Sequence, residues 1–160
     1  MAMTLDELLA REAIRDTIMK YNMSGDSLRA EDYAACFTQD GVIESPRGDG
    51  TFNFRFESRA EILAWQNRWR EAKPGEQGDA VVRKATLVRH NVTTCKIDVT
   101  GPETAKARTY WFVVSNAGPD HCGVYMDDFR KVDDQWLIAR RRVKTEWNAP
   151  GSLFLAPVED

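Results

Sequence analysis

Cysteine is scarce and scattered: Cys36, Cys95 and Cys122 are odd in number, and none belongs to a CxxC pair. That argues against a disulfide framework and a structural zinc site, and leaves three small buried apolar side chains as the expected role. Histidine is scarcer still, with only His90 and His121. No second histidine or carboxylate stands at ligand spacing from His90, so no metal is expected. Long apolar runs are missing as well. The longest, Tyr110 to Val114 among them, have five residues, far below the roughly 20 that a membrane-spanning helix needs.

Charge of one sign is also lacking. Lys plus Arg total 22 against 25 Asp plus Glu, a formal net charge of -3, which recommends neither a nucleic-acid nor a membrane partner. The densest basic run, Arg140 to Arg142 with Lys144, reads as a solvated strand face, with room for one arginine to point inward and meet an anionic group. The N-terminus has the pattern of a charged amphipathic helix rather than a basic stretch followed by an apolar one. No signal peptide is expected, and the chain reads as cytoplasmic.

What is present is enough for one domain: 160 residues, 42% hydrophobic and 10% aromatic, without repeats or a linker. The expected domain spans 1–147, and a proline-interrupted tail, 148–160, carries the apolar Leu153-Phe154-Leu155 that should dock, for instance on a neighbouring subunit. Thr4-Leu5-Asp6-Glu7 is a capping box. Leu5, Leu8, Leu9, Ile14, Ile18 and Tyr21 follow as one apolar stripe, and Gly25 supplies a stop. Leu28, Tyr33, Cys36 and Phe37 predict a second, shorter helix ending near Thr38. Short strands are predicted at Val42 to Glu44 and Thr51 to Phe56. A second capping box, Ser58 to Glu61, opens a helix carrying Ile62, Trp65 and Trp69 that stops before Pro74-Gly75, and the loop Gly75 to Gly78 is polar. Four long strands then form an antiparallel meander: about Lys84 to Val99, Ala105 to Ser115, His121 to Val132 and Trp136 to Trp147. Strands this long predict a strongly curved sheet, with the helices segregated to one face in an α+β arrangement.

On the first long strand His90 alternates with Val88 and Val92, which aims its ring into the apolar interior. Asp26 follows the first helix and is its candidate partner. Tyr21 lies on the buried helical stripe, and Tyr125 shares an alternation with His121 and Asp127. Each has a plainer explanation: Asp26 as the N-cap of the second helix, His90 as a core imidazole bonded to backbone, the tyrosines as ordinary core residues. His121, close to the Gly118-Pro119-Asp120 turn, reads as solvent-exposed.

The order of elements, the Tyr21 and Asp26 step, the Phe37 to Glu44 entry into the first strand, Arg89-His90-Asn91, Gly123-Val124-Tyr125, and Trp136-Leu137-Ile138 followed by Arg141 together resemble the SnoaL-like branch of the NTF2-like superfamily. The resemblance covers nearly the whole chain. It implies a cone-shaped α+β barrel with an apolar pocket between helices and sheet. Ketosteroid isomerases look similar around Tyr21 and Pro46, but Ser45 stands where their catalytic Asp falls, so their mechanism carries over only if Glu44 substitutes. Scytalone dehydratase, bile-acid dehydratases and the hexachlorocyclohexane dehydrochlorinase use an Asp after the first helix and a His on the first long strand, the pattern that Asp26 and His90 match. A second strand-borne histidine, as in scytalone dehydratase, has no match around Tyr110 to Phe112.

The resemblance therefore implies a cofactor-independent lyase of dehydratase type, or an isomerase or cyclase, acting by proton abstraction from carbon. Its substrate would be an apolar cyclic molecule: a polyketide, terpenoid, steroid or aromatic catabolite. His90 would be the general base, Asp26 its orienting partner, and Tyr21 and Tyr125 hydrogen-bond donors. Asn91, Tyr110, Trp65 and Phe37 complete the expected substrate-binding set, and a homodimer or homotrimer is expected. The alternative is a non-catalytic small-molecule binder, or a structural subunit related to the small subunits of ring-hydroxylating dioxygenases.

Overall fold

Thr4 caps the first helix as predicted: its hydroxyl accepts the Glu7 amide at 3.2 Å, and α1 runs from Leu5 to Asp26. The structure is a computed structural model that describes residues 3–71 and 85–153. The predicted Gly75 to Gly78 loop, the start of the first long strand at Lys84, and Phe154 and Leu155 of the tail lie outside these residues. After α1 the chain forms α2 (Ala30–Ala34), β1 (Phe37–Pro46), β2 (Phe52–Phe56), α3 (Arg59–Glu71), β3 (Val88–Gly101), β4 (Thr104–Ser115), β5 (Gly118–Val132) and β6 (Gln135–Asn148). The helices pack on the inner face of one curved, unclosed six-stranded sheet of order β2-β1-β6-β5-β4-β3. Neighbouring strands are antiparallel except β1 and β6, which are parallel.

Several local expectations are revised. Ile14, Ile18 and Tyr21 are buried, but Leu5, Leu8 and Leu9 are more than half exposed. The start of α1 turns a different side to the sheet, where Glu7 and Ala10 line a cleft with Trp136 and the β3–β4 turn. Gly25 does not stop the helix. A Cβ there would come within 3.3 Å of the Tyr33 ring, so its smallness serves close approach of α2. The stop is a Schellman motif three residues later, with Leu28 N–H donating to Gly25 O and Arg29 N–H to Ser24 O. Leu28 takes the left-handed conformation there, φ 53°, a position that ordinarily favours glycine. α2 has five residues and does not reach Thr38, because Phe37 has already joined the sheet opposite Ile138.

The core follows the period of two on the long strands. On β4, Ala105, Ala107, Thr109, Trp111, Val113 and Ser115 point inward, while Lys106, Arg108, Tyr110 and Phe112 point out. β5 sends Gly123, Tyr125, Asp127 and Phe129 to the same inner side. Gly123 matters sterically, since a Cβ would sit 1.9 Å from the Lys144 carbonyl and 2.9 Å from the Trp111 ring. Its bare backbone is what lets Trp111 lie against β5. On the outer face Glu44 is buried among three arginines, accepting Arg140 Nε at 2.9 Å and Arg142 Nε at 3.0 Å with Arg55 Nη1 at 3.7 Å, so the basic run is only partly solvated. Cys36 is buried, and burial pushes its thiol up to about 11; Cys95 and Cys122 are half-buried, and all three are free thiols.

Gly123→Ala has no space for its methyl group against backbone, and overpacking of this kind costs about 3 kcal/mol or more. Urea denaturation should show that loss, whereas Gly48→Ala, with nothing within 4 Å, should stay within about 0.5 kcal/mol of the parent.

Candidate functional site

The Schellman turn fixes Asp26 as the last helical residue of α1, beside β3 at the sheet edge. Its carboxylate grips one residue twice. Oδ2 accepts the His90 backbone N–H at 2.9 Å, and Oδ1 lies 2.6 Å from His90 Nδ1. Two bonds from one carboxylate fix both the strand and the ring; a carboxylate only accepts, so Nδ1 is the donor, and in the neutral ring Nε2 then carries the lone pair. No hydrogen bond to Nε2 is formed among the described residues. The Asp26 side chain is 7% exposed and that of His90 28%, so the carboxylate is sealed and the imidazole accessible. Asp26 is not the N-cap of α2; that position belongs to Arg29.

Beyond His90 the inner wall is aromatic and charged. Trp111 lies 6.4 Å from His90 and stacks on Tyr125 at 5.3 Å and 21°. Tyr125 and Tyr21 meet edge to face at 5.8 Å, and Arg141 lies over both rings, its Cζ 4.0 Å from the Tyr21 centroid and 4.3 Å from that of Tyr125. Arg141 is thus the inward arginine, and Asp127 is its anion: Nε and Nη2 meet the two carboxylate oxygens at 2.8 and 2.7 Å, with both side chains fully buried. Burial works against the guanidinium, but the Asp127 carboxylate more than offsets it and raises the Arg141 pKa. Burial also raises the pKa of Tyr21, Tyr33 and Tyr125, so all three phenols stay protonated. The Tyr33 hydroxyl donates to Tyr21 at 2.7 Å, and Tyr125 donates to Asn22 Oδ1 at 3.3 Å.

His121 is buried rather than exposed, because β5 starts at Gly118 and already holds it in a strand. It faces His90 across Val113, with the ring centroids 6.4 Å apart and perpendicular. Its Nδ1 lies 2.7 Å from Asp120 Oδ1. Asp120 also accepts Ser152 Oγ at 2.6 Å and Leu153 N–H at 2.8 Å, which folds the start of the tail onto its own chain. Burial alone would raise the Asp120 pKa, but these hydrogen bonds outweigh it and lower it. Desolvation lowers that of His121. A second interior histidine therefore stands on β5. The alternation 121, 123, 125 was its sequence signal, obscured by the adjacent turn residues.

The structure thus gathers Tyr21, Asp26, His90 and Tyr125. Of the other candidates it brings Phe37 against Tyr21 and keeps Asn91, Tyr110 and Trp65 apart from the four. Asn91 faces away from His90 on β3 and donates to Arg89 O. Tyr110 is on the outer face, 45% exposed, under the Arg108 guanidinium. Phe37 packs on Tyr21 and Tyr33, and Trp65 on Tyr33, Phe54 and Phe56. Glu44 and Ser45 are tied to Arg140 and Asn53. Two clefts of about 280 and 370 Å³ lie along α1 and at its start, and neither is lined by Asp26 or His90.

Arg141→Met strands a buried carboxylate and should cost about 3–5 kcal/mol in urea denaturation, with most of the loss recovered by adding Asp127→Leu. A second outcome concerns pH. Because the folded state disfavours the His121 proton, the unfolded chain binds it first. Stability is then full above about pH 6.5 and declines as pH falls below it. Melting temperatures from pH 7 to 5 should fall less steeply in His121→Asn.

The chain also resembles known proteins. No curated protein matches it. Among solved structures, a candidate scytalone dehydratase from Novosphingobium aromaticivorans superimposes with a TM-score of 0.72 at 20% identity, over 97% of this chain and 97% of that one. A hexachlorocyclohexane dehydrochlorinase, LinA type 2, gives 0.69 at 14% over 98% and 95%. The beta subunit of a candidate aromatic-ring-hydroxylating dioxygenase from N. aromaticivorans gives 0.72 at 16% over 92% and 98%. At these identities the likeness is one of fold. Residues 6–142 match the SnoaL-like domain model, and the chain belongs to that family.

Proposed function

We propose that the protein is a cofactor-independent lyase or isomerase that removes a proton from carbon on a mostly apolar cyclic substrate, dehydration being the leading reaction. The observation that carries this reading is the double grip of Asp26 on His90. A ring held through Nδ1 offers Nε2 as a general base, and Asp26 stabilises the imidazolium that forms. The site also lies at the C-terminal end of α1, whose last turn contains no basic residue. The negative end of the helix dipole favours positive charge appearing there. In the reaction the C–H bond breaks, the proton passes to Nε2, and the electron pair enters an enolate or expels a leaving group on the neighbouring carbon. Tyr21, accepting from Tyr33, keeps its own proton to offer to a substrate oxygen, and Tyr125 forms the wall beside it. Polyketides, terpenoids, steroids and aromatic catabolites supply substrates of this kind.

β-Tetralone, an enolisable ring ketone, tests the chemistry without knowledge of the natural substrate. The protein should accelerate exchange of its acidic C–H protons in D₂O, observed by NMR. His90→Asn should lower the rate by about 100-fold or more, with Asp26→Asn lowering it in the same direction. Exchange no faster than in buffer would sink the carbon-acid reading and leave a binding role.

A further inference from the structure

The indole Nε1 of Trp111 is buried and has no hydrogen-bond partner among the described residues. A buried indole N–H ordinarily finds one, and leaving a donor unsatisfied is costly enough that native proteins seldom do so. The position is also held with care. Trp111 is 4% exposed, stacked on Tyr125, 6.4 Å from His90 and 5.4 Å from His121, and seated on the bare backbone of Gly123. One strand away from the base, a fixed neutral donor thus waits without an acceptor. Of the tyrosine hydroxyls in the same wall, that of Tyr125 already donates to Asn22, while Tyr21 accepts from Tyr33.

We propose that the Trp111 indole N–H is a catalytic hydrogen-bond donor that holds the carbonyl oxygen of the substrate next to the carbon that His90 deprotonates, which makes the substrate a ring ketone or conjugated enone. This rests on the carbon-acid reading above. The chemistry of the side chain selects the class, since an indole donates only and carries no charge. Its partner must be an acceptor oxygen, and a hydroxyl serving as donor alone finds nothing there. The flat Trp111 and Tyr125 rings beside it suit a planar conjugated ligand. As the C–H bond breaks and its proton moves to His90 Nε2, the electron pair forms the new C=C bond and the carbonyl pair moves onto oxygen. The growing charge on that oxygen then strengthens its bond to Trp111.

The test uses the whole protein labelled with ¹⁵N. Its five tryptophans give separate indole resonances, and that of Trp111 is assigned through bonds in the native protein, so the measurement does not depend on a variant folding. β-Naphthol, the planar enol analogue of β-tetralone, is titrated in. The expected result is a downfield shift of the Trp111 indole proton larger than that of any other indole. In the exchange assay Trp111→Phe, which keeps the stacked ring, should lower kcat by roughly 100-fold with KM changed less than about threefold. A Trp111 indole proton that does not move up to the solubility of β-naphthol overturns the proposal, as does a Trp111→Phe protein exchanging at the parent rate. Should the parent itself fail to accelerate exchange, the carbon-acid reading falls, while the indole shift still decides whether Trp111 binds a ligand oxygen.

Discussion

The buried ion pair between Arg141 and Asp127 is the constraint on which the site depends. Two fully buried charges are a weak source of stability, because desolvation consumes most of their attraction. Their value here is positional. The bidentate contact locks β6 to β5, and the guanidinium, clamped over Tyr21 and Tyr125, locks α1 onto both strands. Tyr21 lies a little over one helical turn before Asp26. Fixing one therefore fixes the other, and the Asp26 carboxylate arrives at His90 through rigid elements rather than through a loop.

Much of this was legible in the sequence, for reasons that are local. Period-two patterning put His90, Tyr125 and Asp127 on inner faces, and a capping box started each long helix. The family resemblance paired Asp26 with His90, 64 positions apart in the chain, a pairing that no local rule contains. What stayed hidden depended on strand register and on contacts between elements. The Gly118-Pro119-Asp120 sequence looks like a turn but begins β5, which moved His121 from the surface to the interior. Gly25 looks like a helix stop, but the left-handed position fell to Leu28, and the glycine instead makes room for Tyr33. Asn91 and Tyr110 share strands with true inner residues and miss the site by one position each, since adjacent strand residues face opposite ways.

The aromatic interior divides into two regions that meet at Tyr21. Around Tyr33, Phe37, Phe54, Phe56 and Trp65 the rings pack on one another as core. Around Trp111, Tyr125, His90 and His121 they lie among carboxylates and a guanidinium, where apolar surface and fixed charge coexist. Size and aromaticity alone do not tell Trp65 from Trp111. The distinction is the polar company that each keeps in the fold.

The bond from the His90 backbone to Asp26 has a consequence outside the chemistry. β3 is the terminal strand of an unclosed sheet, and a terminal strand offers its outward amides to any extended chain that drifts past. Asp26 occupies one of those amides near the start of the strand with a charged side chain carried on a helix. The carboxylate that orients the imidazole through Oδ1 thus shields the strand edge through Oδ2, so protection of the edge and geometry of the site draw on two oxygens of one side chain.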